Sequence, residues 1–275
     1  MISTVEIERP TTVRPTATFR HQVSVVLPAH NEEAVIEDTV RRCLETLARL
    51  CPDYEVILVD DGSVDRTGVI ADAMAAHDPH LRVIHNRPNR GYGGALKAGF
   101  QVASKDYTFF MDSDGQFDIS EIAPLLRLVD GGYRAVLGYR SPRQDPFMRL
   151  ANAWGWRLLI RGLFGVRVRD IDCAFKLYDS SVLRSMEVVA EGATINAEML
   201  IKLNRMGIRY AQVKVTHYPR RHGSASGASP KVILRAFREL VRLRGRLQRW
   251  SALAPLPRTL GGAPLPADEL AVGVS

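Results

Sequence analysis

The sequence FFMDSDGQFD, residues 109–118, places three acidic residues and a glutamine directly after a run of large apolar side chains. The apolar run predicts a buried strand, and Asp112 and Asp114 stand on either side of Ser113 in the turn that follows it. Two carboxylates this close repel each other unless a cation lies between them. Oxygen ligands favour Mg²⁺ or Mn²⁺, which take substrate phosphates as further ligands. The turn therefore predicts a metal site at Asp112 and Asp114, with Gln116 as a third oxygen donor; the alternative is that both acids are solvated turn residues.

The rest of the first 140 residues repeats a pattern of strands and helices. Short β-branched or aromatic runs, typical of strands buried on both faces, alternate with segments of helical periodicity. This alternation predicts an α/β fold with a mostly parallel, Rossmann-like sheet flanked by helices. The predicted strands are residues 23–28, 54–60, 81–85, 107–112 and 133–139, and the predicted helices are residues 32–49, 65–77, 92–104 and 119–130.

After residue 140 the alternation becomes less regular. The patterns predict a basic helix at 146–165, a helix at 195–206, a strand at 210–219 and a basic amphipathic helix at 231–250, while IDCAFKLY, residues 171–178, is assigned to neither class. The chain is thus expected to divide into a flexible segment at 1–20, one domain at 21–230, a basic helical extension at 231–250 and a disordered tail at 251–275.

The charge of the chain is divided unevenly between its halves. Residues 1–130 contain 13 Lys and Arg against 20 Asp and Glu, a net charge of −7, whereas residues 131–275 contain 24 against 10, a net charge of +14. A basic half suits anionic lipid, nucleic acid or a phosphorylated substrate. Nucleic acid is disfavoured, because the sequence shows neither interleaved aromatic stacking residues nor a DNA-reading motif.

Three cysteines without CxxC spacing predict reduced thiols, which are typical of a cytoplasmic protein. The first residues lack the apolar core of a signal peptide, and no stretch approaches the ~20 apolar residues of a spanning helix. The most apolar segment, WGWRLLIRGLFGV (154–166), is interrupted by Arg157 and Arg161. We therefore expect a cytoplasmic protein that does not span a membrane but can lie on its surface.

The ends of the other predicted strands also carry polar residues, and ligands bind at the carboxyl ends of parallel strands. Asp60 and Asp61 can accept hydrogen bonds from a ribose or a base, or can cap a helix. The acids of PAHNEE (28–33) fit such a site or the first turn of a helix. In NRGYGGALKAGF (89–100) the glycines predict close backbone approach at a helix start, and Lys97 either reaches a phosphate or is solvated.

Taken together, these motifs resemble a known family. VVLPAHNEE, EVILVDDGSVDRT, NRGYGGALKAG and FFMDSDGQFD resemble, in order and spacing, the family 2 glycosyltransferases with the GT-A fold. VRDIDCAFKLYDSSVL, NAEMLIKLNRMGIRYAQVKV and HYPRRHGSASGAS are similar to the polyprenyl-phosphate branch, which contains dolichyl-phosphate mannose and glucose synthases. The resemblance covers roughly residues 21–245. It implies that residues 21–230 form a GT-A catalytic domain that transfers a hexose, with inversion, from a GDP- or UDP-linked sugar to a polyprenyl phosphate at the cytoplasmic membrane face.

The resemblance also implies roles for the residues at matching positions. The nucleotide-sugar would contact Pro28, His30, Glu32, Asp60, Asp61 and Asp112, with Lys97 as a phosphate contact. The metal would be held by Asp112, Asp114 and Gln116, and catalysis would depend on Asp112, Asp114 and Asp170. The acceptor phosphate would be held by Arg140, Arg161 and Lys176. His30 departs from the tyrosine that is common at this position of the family, which leaves its contact with the base open.

The chemistry of the acceptor separates two alternatives. A phosphate monoester is already mostly a dianion at neutral pH, so it must be held by cations rather than deprotonated. A hydroxyl acceptor would need a general base, which Asp170 or Asp172 could supply unless they pair with Arg167 or Arg169. The arginine-rich second half favours the phosphate. The helix at 231–250 could lie in the membrane interface, or its apolar stripe could pack on the sheet.

Overall fold

The computed structural model describes residues 19–142, 147–220, 239–247 and 250. The predictions for the flexible segment at 1–20 and for the tail at 251–275 concern residues that lie, apart from 19 and 20, outside this part of the chain. Most of the predicted loop at 220–230 and the first half of the predicted helix at 231–250 lie outside it as well.

Seven strands form one sheet in the order β3-β2-β1-β4-β6-β5-β7. Every pair is parallel except the two that β6 makes with its neighbours β4 and β5, so the sheet is mostly parallel as predicted. The strands are β1 Gln22–Ala29, β2 Asp53–Asp60, β3 Leu81–His85, β4 Tyr107–Met111, β5 Ala135–Arg140, β6 Phe175–Asp179 and β7 Tyr210–Val215. The first five agree with the predicted strands to within about two residues at each end.

Helices flank this sheet, and all of those predicted before residue 210 are present. They are α1 Ile36–Leu50, α2 Thr67–Ala75, α3 Gly91–Val102, α4 Ile122–Asp130, α5 Phe147–Phe164, α6 Ser180–Ser185 and α7 Ile195–Arg205. A single 3₁₀ turn, Ile119–Glu121, precedes α4. The short helix α6 was not predicted; it begins where the Asp179 side chain accepts hydrogen bonds from the first backbone N–H groups.

The core lies between the sheet and its helices. In β1 the residues from Val23 to Ala29 are all buried, which is the continuous pattern of a strand covered on both faces. On α1 the side chains of Ile36, Val40, Cys43 and Leu47 recur at helical spacing and are fully buried against the sheet.

β6 is the main departure from the predicted fold, because its sequence was assigned to neither class. The strand is buried throughout except at its last residue, and it runs antiparallel to β4 with Phe175 opposite Met111. Its reversed direction brings the chain that precedes it, residues 170–174, to the edge where β4 ends.

Residues 239–247 are helical, in agreement with the second half of the predicted helix at 231–250. Leu240, Leu243 and Leu247 are buried, Glu239 accepts a hydrogen bond from the Thr194 hydroxyl, and an Arg205 guanidinium nitrogen donates to the Leu247 carbonyl at 2.5 Å. The leucines of this part of the helix are therefore buried in the protein, and hydrogen bonds tie the helix to both ends of α7. Among the described helices, none combines the length and the apolar character needed to cross a bilayer.

Candidate active site

The carboxyl ends of β1, β2 and β4 meet at one edge of the sheet. The Ser113 hydroxyl, in the turn after β4, donates to the backbone oxygen of Pro28 at 2.7 Å. The Asn31 backbone N–H donates to the Ser63 hydroxyl at 3.0 Å, and the Asp61 N–H donates to the Ala29 carbonyl at 2.8 Å. Short hydrogen bonds thus join the three loops, and the convergence expected from the strand ends is present.

Asp112 and Asp114 lie at the centre of this edge. Asp112 is half-buried, and its Oδ1 is enclosed by protein atoms without a hydrogen-bond partner. Burial, followed by the charge of Asp114, raises the pKa of Asp112 to about 7, although the nearby Tyr92 hydroxyl, itself buried without a hydrogen bond of normal geometry, and the charges of Arg140 and Lys176 oppose this shift. The two acids therefore share one small volume, as their spacing predicts.

This arrangement fits a divalent cation. A buried carboxylate oxygen without a partner is unfavourable, and a second acid beside it adds repulsion; bound Mg²⁺ or Mn²⁺ would remove both costs. Among the described residues, no three His, Cys, Asp or Glu side chains converge on one point. The cation would therefore need ligands beyond Asp112 and Asp114, and diphosphate oxygens and water are the ligands that Mg²⁺ takes readily.

Gln116 is engaged by the chain that follows β7. Its Nε2 donates to the Tyr218 carbonyl at 2.8 Å, and its backbone N–H donates to Asp114 Oδ1 at 3.1 Å. The structure thus orients the Gln116 amide toward residues 216–220, and its role as a metal ligand stays a prediction.

Residues 216–220, which follow β7, cover one side of the acidic turn. The Tyr218 N–H donates to the Gln116 carbonyl at 2.8 Å, and the Arg220 guanidinium pairs with Glu32 and lies 3.9 Å from Asp114 Oδ2. Burial raises the pKa of Glu32, although the Arg220 charge opposes it. Sequence reasoning did not single out Arg220; the signal that could have found it is the HYPRRH block, whose basic residues follow directly after a predicted strand.

Asp60 and Asp61, predicted to contact the nucleotide, are both buried at the end of β2. Asp60 Oδ1 accepts the Ser63 N–H at 3.0 Å, and its Oδ2 lies 2.9 Å from His85 Nδ1. Burial raises the pKa of Asp60, but the hydrogen bonds from Ser63 and His85 outweigh burial and lower it overall. Asp61 Oδ1 accepts hydrogen bonds from Asn86 Nδ2 at 2.8 Å and from the Arg90 N–H at 2.9 Å. Both acids therefore hold the loops of this edge in place.

Pro28 and His30, the other predicted nucleotide contacts from the end of β1, lie on the same edge. Pro28 is buried at the end of β1, whereas His30 is exposed, with its Nδ1 3.0 Å from the Asp61 backbone oxygen. The structure thus brings together Pro28, His30, Glu32, Asp60, Asp61 and Asp112, and their contacts with a nucleotide stay predictions.

The glycine-rich loop approaches protein backbone closely at the start of α3. The N–H groups of Gly93 and Gly94 donate to the Glu191 carbonyl at 2.8 and 3.2 Å. A Cβ atom at Gly93 would stand 2.6 Å from the Ala190 carbonyl oxygen, so the glycine is required there. The predicted close approach is present, and its partner is the segment at residues 190–191.

Lys97 does not lie at the edge of the sheet that carries Asp112, which corrects its predicted place among the nucleotide contacts. Its Nζ donates to the Val189 carbonyl at 3.1 Å, and it lines a pocket of about 230 Å³ together with Thr108 and Arg184. Thr108 is the second residue of β4, so this pocket lies at the amino end of that strand, whereas Asp112 follows its carboxyl end. The helical position of Lys97, two turns into α3, places its side chain at the wrong end of β4.

Arg140 and Asp170 form a buried ion pair beside the acidic turn. Arg140 Nε donates to Asp170 Oδ2 at 2.7 Å and its Nη2 donates to Oδ1 at 3.0 Å, with side chains only 8% and 5% exposed. Asp170 therefore pairs with Arg140, and not with Arg167 or Arg169 as one alternative had it. A carboxylate that accepts two charge-assisted hydrogen bonds is poorly suited to act as a general base.

The other two residues predicted to hold the acceptor phosphate differ in exposure. Lys176 is the second residue of β6 and is fully buried, and its Nζ donates to the Ile171 carbonyl at 2.9 Å and to Asn196 Oδ1 at 2.7 Å. Burial lowers the pKa of Lys176 to about 8. Because the Lys176 side chain is fully enclosed, it does not reach a phosphate in this structure, which corrects the prediction. Its hydrogen bond to the Ile171 carbonyl instead supports residues 170–174. Arg161 is exposed on α5.

A small pocket lies between α5 and the segment before β6. It measures about 170 Å³ and is lined by Leu150, Ala153, Trp154, Arg157, Arg169, Asp170, Ile171 and Asp172. Arg157 Nη1 donates to the Arg169 carbonyl at 3.1 Å, which ties α5 to this segment. The pocket combines apolar walls with two arginines, next to the edge that carries Asp112.

The sheet order, with an acidic turn after β4 and an antiparallel β6 beside it, defines a GT-A glycosyltransferase fold. Glucosyl-3-phosphoglycerate synthase from Mycobacterium tuberculosis, solved with Mn²⁺, UDP and phosphoglyceric acid, superposes with a TM-score of 0.63 at 24% identity, over 82% of this chain and 79% of that one. A structure of the same enzyme in complex with phosphoglyceric acid gives a TM-score of 0.60 at 25% identity, over 82% and 80%. These neighbours confirm the predicted fold class.

The family model for Glycosyl transferase family 2 matches residues 24–186, more than half of the chain, and the chain belongs to this family. It is 34% identical to Glycosyltransferase AglD of Haloferax volcanii over 223 residues, covering 77% of this chain and 36% of AglD. It is 33% identical to the undecaprenyl-phosphate 4-deoxy-4-formamido-L-arabinose transferase of Edwardsiella ictaluri over 213 residues, covering 77% of this chain and 64% of the relative. The chain thus spans between about one third and two thirds of these relatives. The predicted resemblance to the polyprenyl-phosphate branch is confirmed.

Proposed function

We propose that this chain transfers a hexose, with inversion, from a nucleotide diphosphate-sugar to a polyprenyl phosphate. The observation that carries the proposal is the pairing of Asp112 and Asp114, with an unpartnered buried oxygen, beside a pocket lined by apolar groups and arginines. The names of relatives add support, since undecaprenyl-phosphate is the substrate named for the Edwardsiella ictaluri protein and UDP is bound in the Mycobacterium tuberculosis structure.

On the donor side, the chain would hold the nucleotide at the ends of β1 and β2 and the diphosphate at Asp112 and Asp114. Bound Mg²⁺ or Mn²⁺ would offset the negative charge that develops on the departing diphosphate. The Arg220 guanidinium, held by Glu32 at 3.9 Å from Asp114, adds a positive charge on the same side. The bond from the anomeric carbon to the diphosphate oxygen breaks as an acceptor oxygen bonds to the opposite face of that carbon, which inverts its configuration.

On the acceptor side, the pocket beside α5 would take the phosphate and the first carbons of the lipid. Arg157 and Arg169 line this pocket, and a phosphate dianion needs cations rather than a base. Arg140 would act through Asp170, which it holds in the pocket wall. A hydroxyl acceptor with Asp172 as base is the alternative, because Asp172 is exposed at the same pocket.

A face of α5 would contact the cytoplasmic face of the membrane. Trp154, Arg157, Leu158 and Arg161 fall on one side of the helix by their spacing, and the side chains of Trp154 and Leu158 are 58% and 43% exposed. An apolar and basic face of this kind suits a bilayer interface with anionic lipid. This face replaces residues 239–247 as the proposed membrane-facing element, since Leu240, Leu243 and Leu247 are buried.

Labelled nucleotide-sugar tests the reaction. With polyprenyl phosphate vesicles and Mn²⁺ or Mg²⁺, we expect label in an organic-extractable product that mild acid releases. Label that reaches only a water-soluble product would favour the hydroxyl acceptor. GDP- and UDP-linked hexoses are compared in parallel, with a thermal-shift screen for the donor that stabilises the fold by mass action.

Asp114→Asn tests the metal site within this assay. The change removes one proposed ligand charge, so it should nearly abolish both transfer and the Mn²⁺-dependent thermal stabilisation by nucleotide. Asp118→Asn is the matched control, because Asp118 caps the 3₁₀ turn four residues later, its Oδ1 accepting the Ser120 N–H at 3.0 Å, and asparagine caps equally well. Near-normal turnover by Asp114→Asn at saturating metal would refute the metal assignment.

A further inference from the structure

His85, the last residue of β3, stands between two carboxylates at the nucleotide side of the edge. Its Nδ1 is 2.9 Å from Asp60 Oδ2, at the end of β2, and its Nε2 is 3.1 Å from Asp72 Oδ1, on α2. An ionised carboxylate can only accept hydrogen bonds, so both ring nitrogens must carry a proton for both contacts to be hydrogen bonds. The geometry is therefore that of an imidazolium held by two acids.

Asp60, His85 and Asp72 form a bridge of two ion pairs, and its two ends differ in burial. The Asp60 side chain is 1% exposed, that of His85 31% and that of Asp72 60%. Gly68 makes room for the bridge, because a Cβ atom there would stand 2.8 Å from Asp60 Oδ2 and 3.3 Å from His85 Cε1. The bridge thus leads from the solvent-exposed surface of α2 to a buried carboxylate of the candidate site.

Asp60 in turn holds the loop that follows β2, and this loop bonds the one that follows β1. Its Oδ1 accepts the Ser63 N–H at 3.0 Å, and the Ser63 hydroxyl accepts the Asn31 N–H at 3.0 Å. His30 reaches the same turn through the Asp61 backbone oxygen at 3.0 Å. A change at His85 that moves Asp60 is therefore transmitted to the residues that would receive the base and ribose.

We propose that His85 is a positioning residue for the donor nucleotide, and that its doubly protonated form holds Asp60 and the adjoining turn in the arrangement that binds. This inference rests on the proposed function of the edge. It adds a residue that acts through Asp60 and does not itself touch the substrate, and it makes donor affinity depend on pH.

The expected pH dependence follows from the charges around the ring. The hydrogen bond with Asp60 raises the pKa of His85, burial opposes the shift, and Asp72 raises it further. Asp60 and Asp72 are the charged groups that act on His85 in the described part of the chain. Since a raised pKa keeps the ring charged below the ordinary value of about 6.5, donor affinity should be highest there and fall as pH rises through the raised pKa.

Asp72→Asn is the test variant, because Asp72 is exposed and its side chain bonds only His85 among the recorded hydrogen bonds. Removing this one exposed charge should lower the proton affinity of His85 about threefold, or roughly 0.5 pH unit. Asp78→Asn is the control, since Asp78 is a surface acid in the α2–β3 connection, and in the described part of the chain its side chain bonds only His80.

Two measurements are made on the full-length chain. The His85 ring is titrated by NMR, with His85→Gln used to assign its signal, and the dissociation constants of UDP-glucose and GDP-mannose with Mn²⁺ are measured from pH 6 to 9. The diphosphate of neither donor carries a proton that titrates in this range, and any ionisation of the base near pH 9 is common to all variants. Any titration at the metal site is common to all variants, so it cancels when Asp72→Asn is compared with the unaltered chain at each pH.

We expect Asp72→Asn to shift the fall in affinity to lower pH by the same amount as the NMR titration, with a loss of about twofold between the two pKa values that approaches threefold above both, and no change for Asp78→Asn. His85→Gln should bind weakly at every pH without this fall. A shifted NMR titration with unchanged affinity would overturn the positioning role while leaving the proposed function intact. If neither nucleotide-sugar binds the unaltered chain at any pH, the proposed function fails and the inference with it, whatever the NMR titration shows.

Discussion

The pair formed by Arg140 and Asp170 offers the sharpest test of the acceptor side. Its two hydrogen bonds, at 2.7 and 3.0 Å, join side chains that are 8% and 5% exposed. Asp170→Asn removes the charge of one partner and leaves the Arg140 guanidinium buried against a neutral amide. Arg140→Gln does the reverse. The double variant removes both charges at once.

The magnitude follows from the burial of the pair. Loss of one partner of a buried ion pair destabilises a protein by about 3–5 kcal/mol, because the remaining charge stays desolvated. For a domain of this size each kcal/mol lowers the melting temperature by roughly 2–4 °C, so either single variant should melt about 6–20 °C lower. The double variant leaves neither charge of this pair buried. It should be about 2–3 kcal/mol more stable than the sum of the two single effects predicts.

Urea unfolding of the four proteins, followed by tryptophan fluorescence, measures this coupling energy. The exposed pair Arg41–Glu45, at 2.9 Å with side chains 52% and 57% exposed, is the matched control, and its coupling energy should be much smaller because solvent screens it. If the coupling energy of Arg140 and Asp170 is no larger than that of the control, the two residues do not form a strongly coupled buried ion pair. The argument against Asp170 as a general base would then fail.

Two further predictions concern the helices behind the site. Lys97→Met should leave nucleotide-sugar affinity unchanged, because Lys97 bonds the Val189 carbonyl at the other end of β4; a tenfold or greater loss by calorimetry would restore it to the donor site. Glu198→Gln should destabilise the chain by about 3–5 kcal/mol, since the fully buried Glu198 carboxylate is 2.7 Å from Lys202 Nζ and accepts the Ala190 N–H at 2.7 Å. Amide exchange at Ala190 should accelerate with it, and unchanged exchange would show that this carboxylate does not hold the segment.

Much of the fold could be predicted from the sequence, because buried parallel strands and amphipathic helices leave a strong local pattern. β1 and α1 are examples, and each was placed to within a few residues. β6 left no such pattern: its second residue is Lys176, a charged side chain that is fully buried and donates hydrogen bonds to Ile171 and Asn196. Those partners come together only in the folded chain, so the sequence alone does not show that this lysine can stand in a core strand.

The residues of the candidate site also differ in whether the sequence alone reveals them. Asp112 and Asp114 could be found because two acids directly after a buried strand can be recognised locally, and the order of the strands places that end beside those of β1 and β2. Lys97 was assigned to the wrong end of β4. Its distance from the candidate site depends on how far along α3 it stands and on how α3 runs over the sheet, which only the folded chain shows. Arg220 was missed for a related reason, since its contacts with Glu32 and Asp114 join residues almost two hundred and about one hundred positions apart along the chain.

The reversed direction of β6 explains how the acidic and basic halves of this chain come to share one edge. The loops that follow parallel strands all lie at one edge of a sheet, and the segments that precede them lie at the other. β6 runs the opposite way, so residues 170–174 enter the edge at which β4 ends, and Arg140 reaches the same edge as the last residue of β5, which runs parallel to β4. Residues 1–130 contain 13 Lys and Arg against 20 Asp and Glu, whereas residues 131–275 contain 24 against 10. Topology, and not a local pattern of charge, therefore sets the acids of the proposed donor site beside the cations of the proposed acceptor site.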